Sequence, residues 1–138
     1  MKGLPRGWSA DELQSLGRSL TEVADTAAQK HPGMLSRWLH GPRYTDIFVD
    51  VAPGGDLDRI EISYGGNWLL IEGKRLLTGH TDEMSVLDEE RHPKARTIQE
   101  HSDHDAEIIR GARILVEALA DPILAPMILA RLPAAATG

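Results

Sequence analysis

The sequence predicts a single α+β domain: an N-terminal helix, a four-stranded antiparallel meander, and two C-terminal helices packed on the sheet. Three observations predict it. Apolar residues recur every three or four positions towards both ends of the chain, they recur every second position in the middle, and glycine pairs punctuate that middle stretch where tight turns are needed. The 138 residues suit one ordinary domain, and an apolar share of 41% against 26% charged allows a core to form without staples. Residues 1–8 and 133–138 are expected to fray.

The first helix starts at a capping box, Ser9-Ala10-Asp11-Glu12, in which the hydroxyl accepts from the backbone three residues on and the glutamate reaches back. Leu13, Leu16, Leu20, Val23 and Ala27 follow on one stripe, so the helix is expected to run to about Lys30 and stop at His31-Pro32-Gly33. Met34 to Leu39 is expected to add one or two further helical turns before Gly41-Pro42. From Tyr44 the period changes to two. Ile47, Val49 and Val51 form one strand, Pro53-Gly54-Gly55-Asp56 a turn, and Asp58, Ile60, Ile62 and Tyr64 the return strand. Gly65-Gly66 leads into Trp68 to Glu72, and Gly73-Lys74 into Arg75 to Thr78.

Loop length suggests a register. If Ala52 faces Leu57, then Val49 opposes Ile60 and Ile47 opposes Ile62; if Tyr64 faces Asn67, then Ile60 opposes Ile71 and Ile62 opposes Leu69. One face becomes apolar. The other carries Asp50, Arg59 and Glu72 side by side, with Phe48, Glu61, Leu70 and Leu77 in the next row. A three-residue turn that includes Asn67 would instead slip the third strand by one and turn Trp68 and Leu70 inward.

Residues 80–104 lose periodicity and read as a long polar connection. Ser102 or Asp103 caps the next helix, whose apolar face is Ile108, Ile109, Ala112, Leu115, Val116 and Leu119. Asp121-Pro122 restarts a short helix that runs through Pro126 to Leu132.

The composition narrows the function. With no cysteine there are no disulfides, thiolate metal sites or thiol nucleophiles, which suits a reducing compartment, and the expected location is cytoplasmic. No stretch approaches the roughly 20 apolar residues of a membrane span, so no membrane association is expected. A net charge of -6 disfavours nucleic acid as a partner, because backbone binding draws on Lys and Arg.

Two arrangements have chemical potential. Asp58 followed by Glu72-Gly73-Lys74 resembles the PD-(D/E)xK pattern of metal-dependent nucleases over residues 56–74. In that family two carboxylates hold a divalent cation and the lysine orients the attacking water; the resemblance would assign those roles to Asp58, Glu72 and Lys74. The alternative for the same residues is that Glu72 pairs with Arg59 and Gly73-Lys74 is a turn. His80, His92, His101 and His104 lie near the polar connection, and His101, Asp103 and His104 have spacing that could suit zinc. The same residues serve equally as helix caps and solvated loop side chains, and no cofactor is expected.

The favoured reading is non-catalytic. Phe48, Trp68, Leu70 and Leu77 on the outer sheet face, with Met127 and Ile128 of the last helix, exceed what two helices need to cover one sheet face. They are expected to form an interface, with a protein partner or in a homodimer; the alternative is that the last helix folds across the outer face and closes the monomer. Chaperones of secretion systems, immunity proteins and accessory subunits share this general plan, an analogy of fold alone.

Overall fold

A computed structural model of the chain describes residues 4–5, 7–23, 35–73, 75–81, 98–101 and 106–133. Helix α1 (Ala10–Ser19) is followed by strands β1 (Thr21–Glu22), β2 (Leu35–Gly41), β3 (Thr45–Val51), β4 (Leu57–Tyr64), β5 (Asn67–Glu72), β6 (Arg75–Thr81) and β7 (Ile98–His101), then helices α2 (Ala106–Glu117) and α3 (Leu124–Arg131). Among the described residues the strands form one antiparallel sheet in sequence order, a meander of seven. The class is α+β as expected, with more strands than the four predicted.

Helix α1 begins where the capping box places it: Glu12 N–H donates to the Ser9 hydroxyl at 3.2 Å, and Ser9 N–H to the Glu12 carboxylate at 3.0 Å. It ends earlier than predicted. Leu20 turns extended, and Thr21 and Glu22 pair with His40 and Leu39 of β2. The stripe continuing to Val23 and Ala27 suggested more helix, but at Thr21 and Glu22 strand pairing displaces local helical preference. Residues 24–34, with the expected stop at His31-Pro32-Gly33, lie outside the described residues. The helical turns expected from Met34 to Leu39 are corrected as well, since residues 35–41 are a strand paired with β3 along its whole length. The polar connection of residues 80–104 is corrected at both ends: β6 runs on to Thr81, and β7 pairs with it, Thr78 opposite His101.

At the centre of the sheet the register is the one the alternation predicts. Val49 faces Ile60, Ile47 faces Ile62, Ile60 faces Ile71 and Ile62 faces Leu69. The two-residue turn decides this: Gly65 and Gly66 both have positive φ, 54° and 91°, and Tyr64 pairs with Asn67. At the first hairpin the prediction fails by one residue. Val51, not Ala52, faces Leu57, while Asp50 faces Arg59, so Asp58 is a surplus residue at a β-bulge. The bulge sends Leu57 into the core and leaves Asp58 exposed, the reverse of the predicted assignment.

Helices α1, α2 and α3 contribute to one core with the inner sheet face. Leu13 and Leu16 of α1, Ile108, Leu115 and Val116 of α2, and Leu124 and Ile128 of α3 join Ile47, Val49, Ile60, Ile62, Leu69 and Ile71 in one buried cluster. Helix α1 crosses α2 at Gly17, where a β-carbon would stand 2.1 Å from the Leu115 carbonyl oxygen. The Tyr64 hydroxyl donates to the Ile108 carbonyl at 2.8 Å and ties β4 to α2. Arg131 donates from α3 to the carbonyls of Leu57 and Gly73, fixing that helix over two hairpin ends.

Among the described residues, one buried side-chain polar atom lacks a partner. Thr45 is fully buried, and its hydroxyl makes no hydrogen bond. Thr45→Val keeps the shape and removes an unsatisfied group whose desolvation costs about 1–3 kcal/mol. It is expected to raise the denaturant midpoint at unchanged slope; a lowered midpoint would show that the hydroxyl is satisfied after all.

Candidate functional site

With the helices on the inner face, strand alternation assembles three rows of side chains on the outer face from β2 to β6. The first is Ser36, Asp50, Arg59, Glu72 and Arg75. The second is Trp38, Phe48, Glu61, Leu70 and Leu77, and the third is His40, Asp46, Ser63, Trp68 and Gly79.

The first row is ionic. The Ser36 hydroxyl donates to Asp50 at 2.7 Å; Arg59 lies 3.4 Å from Glu61 and 3.8 Å from Glu72, and Arg75 lies 3.9 Å from Glu72. In the second and third rows two carboxylates, Asp46 and Glu61, are buried, and each accepts from an indole. Trp38 Nε1 donates to Asp46 Oδ1 at 2.7 Å, and Trp68 Nε1 to Glu61 Oε2 at 2.8 Å. His40 Nδ1 lies 2.7 Å from the same Asp46 oxygen, while its side chain is 44% exposed. Buried carboxylates persist only where charged or polar donors replace water, and these indoles and the Arg59 guanidinium supply that replacement.

Trp38 and Phe48 stack with ring centroids 5.3 Å apart and planes 12° from parallel, and both remain half-buried. The His40 and Trp38 rings meet in a T-shaped arrangement with centroids 5.6 Å apart. Aromatic surface is therefore presented in a fixed orientation beside a charge-capable imidazole.

Of the expected interface residues, Phe48, Leu77 and Met127 are half-buried, while Trp68, Leu70 and Ile128 are buried within the single chain. Ile128 is turned into the core by α3, and Trp68 is drawn down onto Glu61. Sequence reasoning missed Trp38 and His40. Both stand on β2, where Leu35, Arg37 and Leu39 alternate with Ser36, Trp38 and His40; that alternation was the available signal.

The other candidates are placed as follows. Asp58 and Glu72 are both exposed, Asp58 at the bulge and Glu72 in the ionic row between Arg59 and Arg75. The two-residue turn register is therefore the one present, with Leu69 and Ile71 in the core. Lys74 lies outside the described residues, as do His92, Asp103 and His104; His101 has its backbone in β7, and His80 is exposed on β6. Among the described residues no three His, Asp or Glu side chains are grouped to hold a metal ion. Among them also, no helix is long and apolar enough to cross a membrane.

Fold and face define an α+β chain with a meander sheet, helices on one side and an aromatic-ionic surface on the other. Comparison of the chain with protein-family models, curated proteins and solved structures found no match.

Proposed function

We propose that this chain is a small non-catalytic protein-binding module, accessory or chaperone-like in role and of the general kind that includes immunity proteins. It would act in the cytoplasm and dock a protein partner or a second copy through the outer sheet face. The observation that carries this reading is the stacked, half-buried Trp38–Phe48 pair, held in one orientation by Asp46. Binding energy concentrates on rigid aromatic and arginine side chains, because they offer large contact area at little entropic cost on association. Leu77 supplies a second half-buried apolar site at the far end of the same row, and Arg59 and Arg75 with Asp50 and Glu72 form a polar border. The acidic net charge of -6 turns the reading away from nucleic acid and towards protein.

A homodimer formed by this face is the simplest assembly, since a two-fold axis pairs the face with itself. Light scattering is expected to show a dimer that Phe48→Asp or Leu77→Glu converts to monomer with the far-ultraviolet circular dichroism unchanged. A chain that stays monomeric at every attainable concentration overturns the dimer. Magnesium- or manganese-dependent cleavage of DNA or RNA, lost in a folded Glu72→Ala variant, overturns the non-catalytic part of the reading.

A further inference from the structure

The shortest described strand of the sheet is held by a brief stretch of pairing and by an ion pair across it. Strand β1 contributes two register pairs and one further hydrogen bond, from Val23 N–H to the Trp38 carbonyl at 2.8 Å, and both of its residues are exposed. Across it, Arg37 of β2 grips Glu22 with two hydrogen bonds, Nε to Oε2 at 2.9 Å and Nη2 to Oε1 at 2.8 Å. The same Nη2 reaches Asp121 Oδ2 at 3.1 Å, in the turn between α2 and α3. Asp121 is engaged twice, because its other oxygen accepts from the N–H groups of Ile123 and Leu124, where α3 begins. One guanidinium thus ties the edge of the sheet to the start of the last helix.

We propose that Glu22, Arg37 and Asp121 form a releasable clasp: when it opens, β1 detaches from β2 while β2 to β6 stay paired. The edge strand then opens locally, at lower cost than the domain as a whole, and its release bares the backbone ladder of β2 around Trp38 and His40. Leu20, buried at the C-cap of α1, stays behind as the fixed end of the detaching segment.

Among the described residues, the charged groups facing Arg37 are Glu22 from β1 and Asp121 from the α2–α3 turn; Val49, its neighbour on β3, is apolar. Glu22 is held below its ordinary carboxylate range chiefly because it accepts from Arg37. Asp121 is held below its own range chiefly because the Leu124 N–H donates to it, with Ile123 and Arg37 adding to the effect. Carboxylates depressed in the folded state stabilise it above their unfolded pKa, and that contribution is lost as pH falls through the folded value. Acid therefore opens the clasp.

Residue-resolved hydrogen exchange tests this. In Arg37→Gln, protection of the Thr21 and Val23 amides is expected to fall roughly two- to fivefold, the upper part of the range for partly exposed ion pairs of good geometry. Ile60, Ile62 and Leu69 amides should keep wild-type protection. Glu22→Gln, at an exposed site, should repeat the pattern more weakly, and Asp121→Ala should add a loss at the Leu124 amide. Wild-type protection at Thr21 and Val23 should fall in the same selective way as the pH drops below the ordinary carboxylate range. Unchanged Val23 protection in both Arg37→Gln and Glu22→Gln overturns the clasp. A parallel loss across β4 and β5 overturns it too, since β1 would then open only with global unfolding.

Discussion

Replacing Gly17 by alanine is expected to destabilise the fold by about 3 kcal/mol, the upper range for forcing an added methyl into a packed contact. The cause is geometric. The new β-carbon would stand 2.1 Å from the Leu115 carbonyl oxygen and 3.0 Å from the Ala118 β-carbon. A carbonyl inside a helix cannot swing aside as a side-chain tip can, so α1 and α2 must separate. Separation loosens Leu13 and Leu16 against Leu115 and Val116, all buried in the same cluster. The better intrinsic helix propensity of alanine offsets only about 1 kcal/mol. Chemical denaturation checks this: a midpoint lowered at unchanged slope is expected, and a wild-type midpoint would show that the helices part without cost.

Trp68→Ala is the second large effect, expected to cost about 3–5 kcal/mol, the range for emptying a buried aromatic site. Two losses combine here. The ring is 4% exposed, and its Nε1–H is one of two polar supports for the buried Glu61 carboxylate. Trp68→Phe separates them. It keeps most of the apolar volume, withdraws the donor, and is expected to cost about 1–3 kcal/mol by leaving Glu61 Oε2 unpaired. Adding Glu61→Met to Trp68→Phe removes the stranded charge and should restore part of that loss, because a packed apolar side chain often replaces a buried ion at no net cost. A double variant no more stable than Trp68→Phe would mean that Glu61 draws its support elsewhere, from Arg59 at 3.4 Å.

The centre of the fold was legible because its pattern has one physical cause. From Ile47 to Ile71 a sheet with one face on helices forces alternation, and the Gly65-Gly66 turn fixes which phase that alternation takes. Legibility failed where tertiary contacts overrode local signals. Leu20, Val23 and Ala27 prolong the helical stripe, yet Thr21 and Glu22 pair with β2, and Met34 to Leu39 read as a further helical turn or two before the Gly41-Pro42 breaker, yet residues 35–41 pair with β3. That single error hid half of the candidate site, since Trp38 and His40 belong to the outer face only once β2 is a strand. The ionic row of Asp50, Arg59 and Glu72 was legible from register alone. The burial of Trp68 and Leu70 was not, because alternation assigns a face and is silent on how deeply each side chain is shielded on it.

The bulge at Asp58 has a bearing on how this hairpin tolerates changes in length. Elsewhere in the sheet, losing one residue turns every later side chain of that strand upside down, exchanging core for solvent. At Asp58 the extra residue already stands outside the pairing, with Asp50 opposite Arg59 and Val51 opposite Leu57 on either side of it. Excising it would leave a continuous ladder in which Leu57, Ile60 and Ile62 keep their orientation. The connection between β3 and β4 is thus a place where the chain can shorten by one residue while the hydrophobic layer beneath it keeps its pattern.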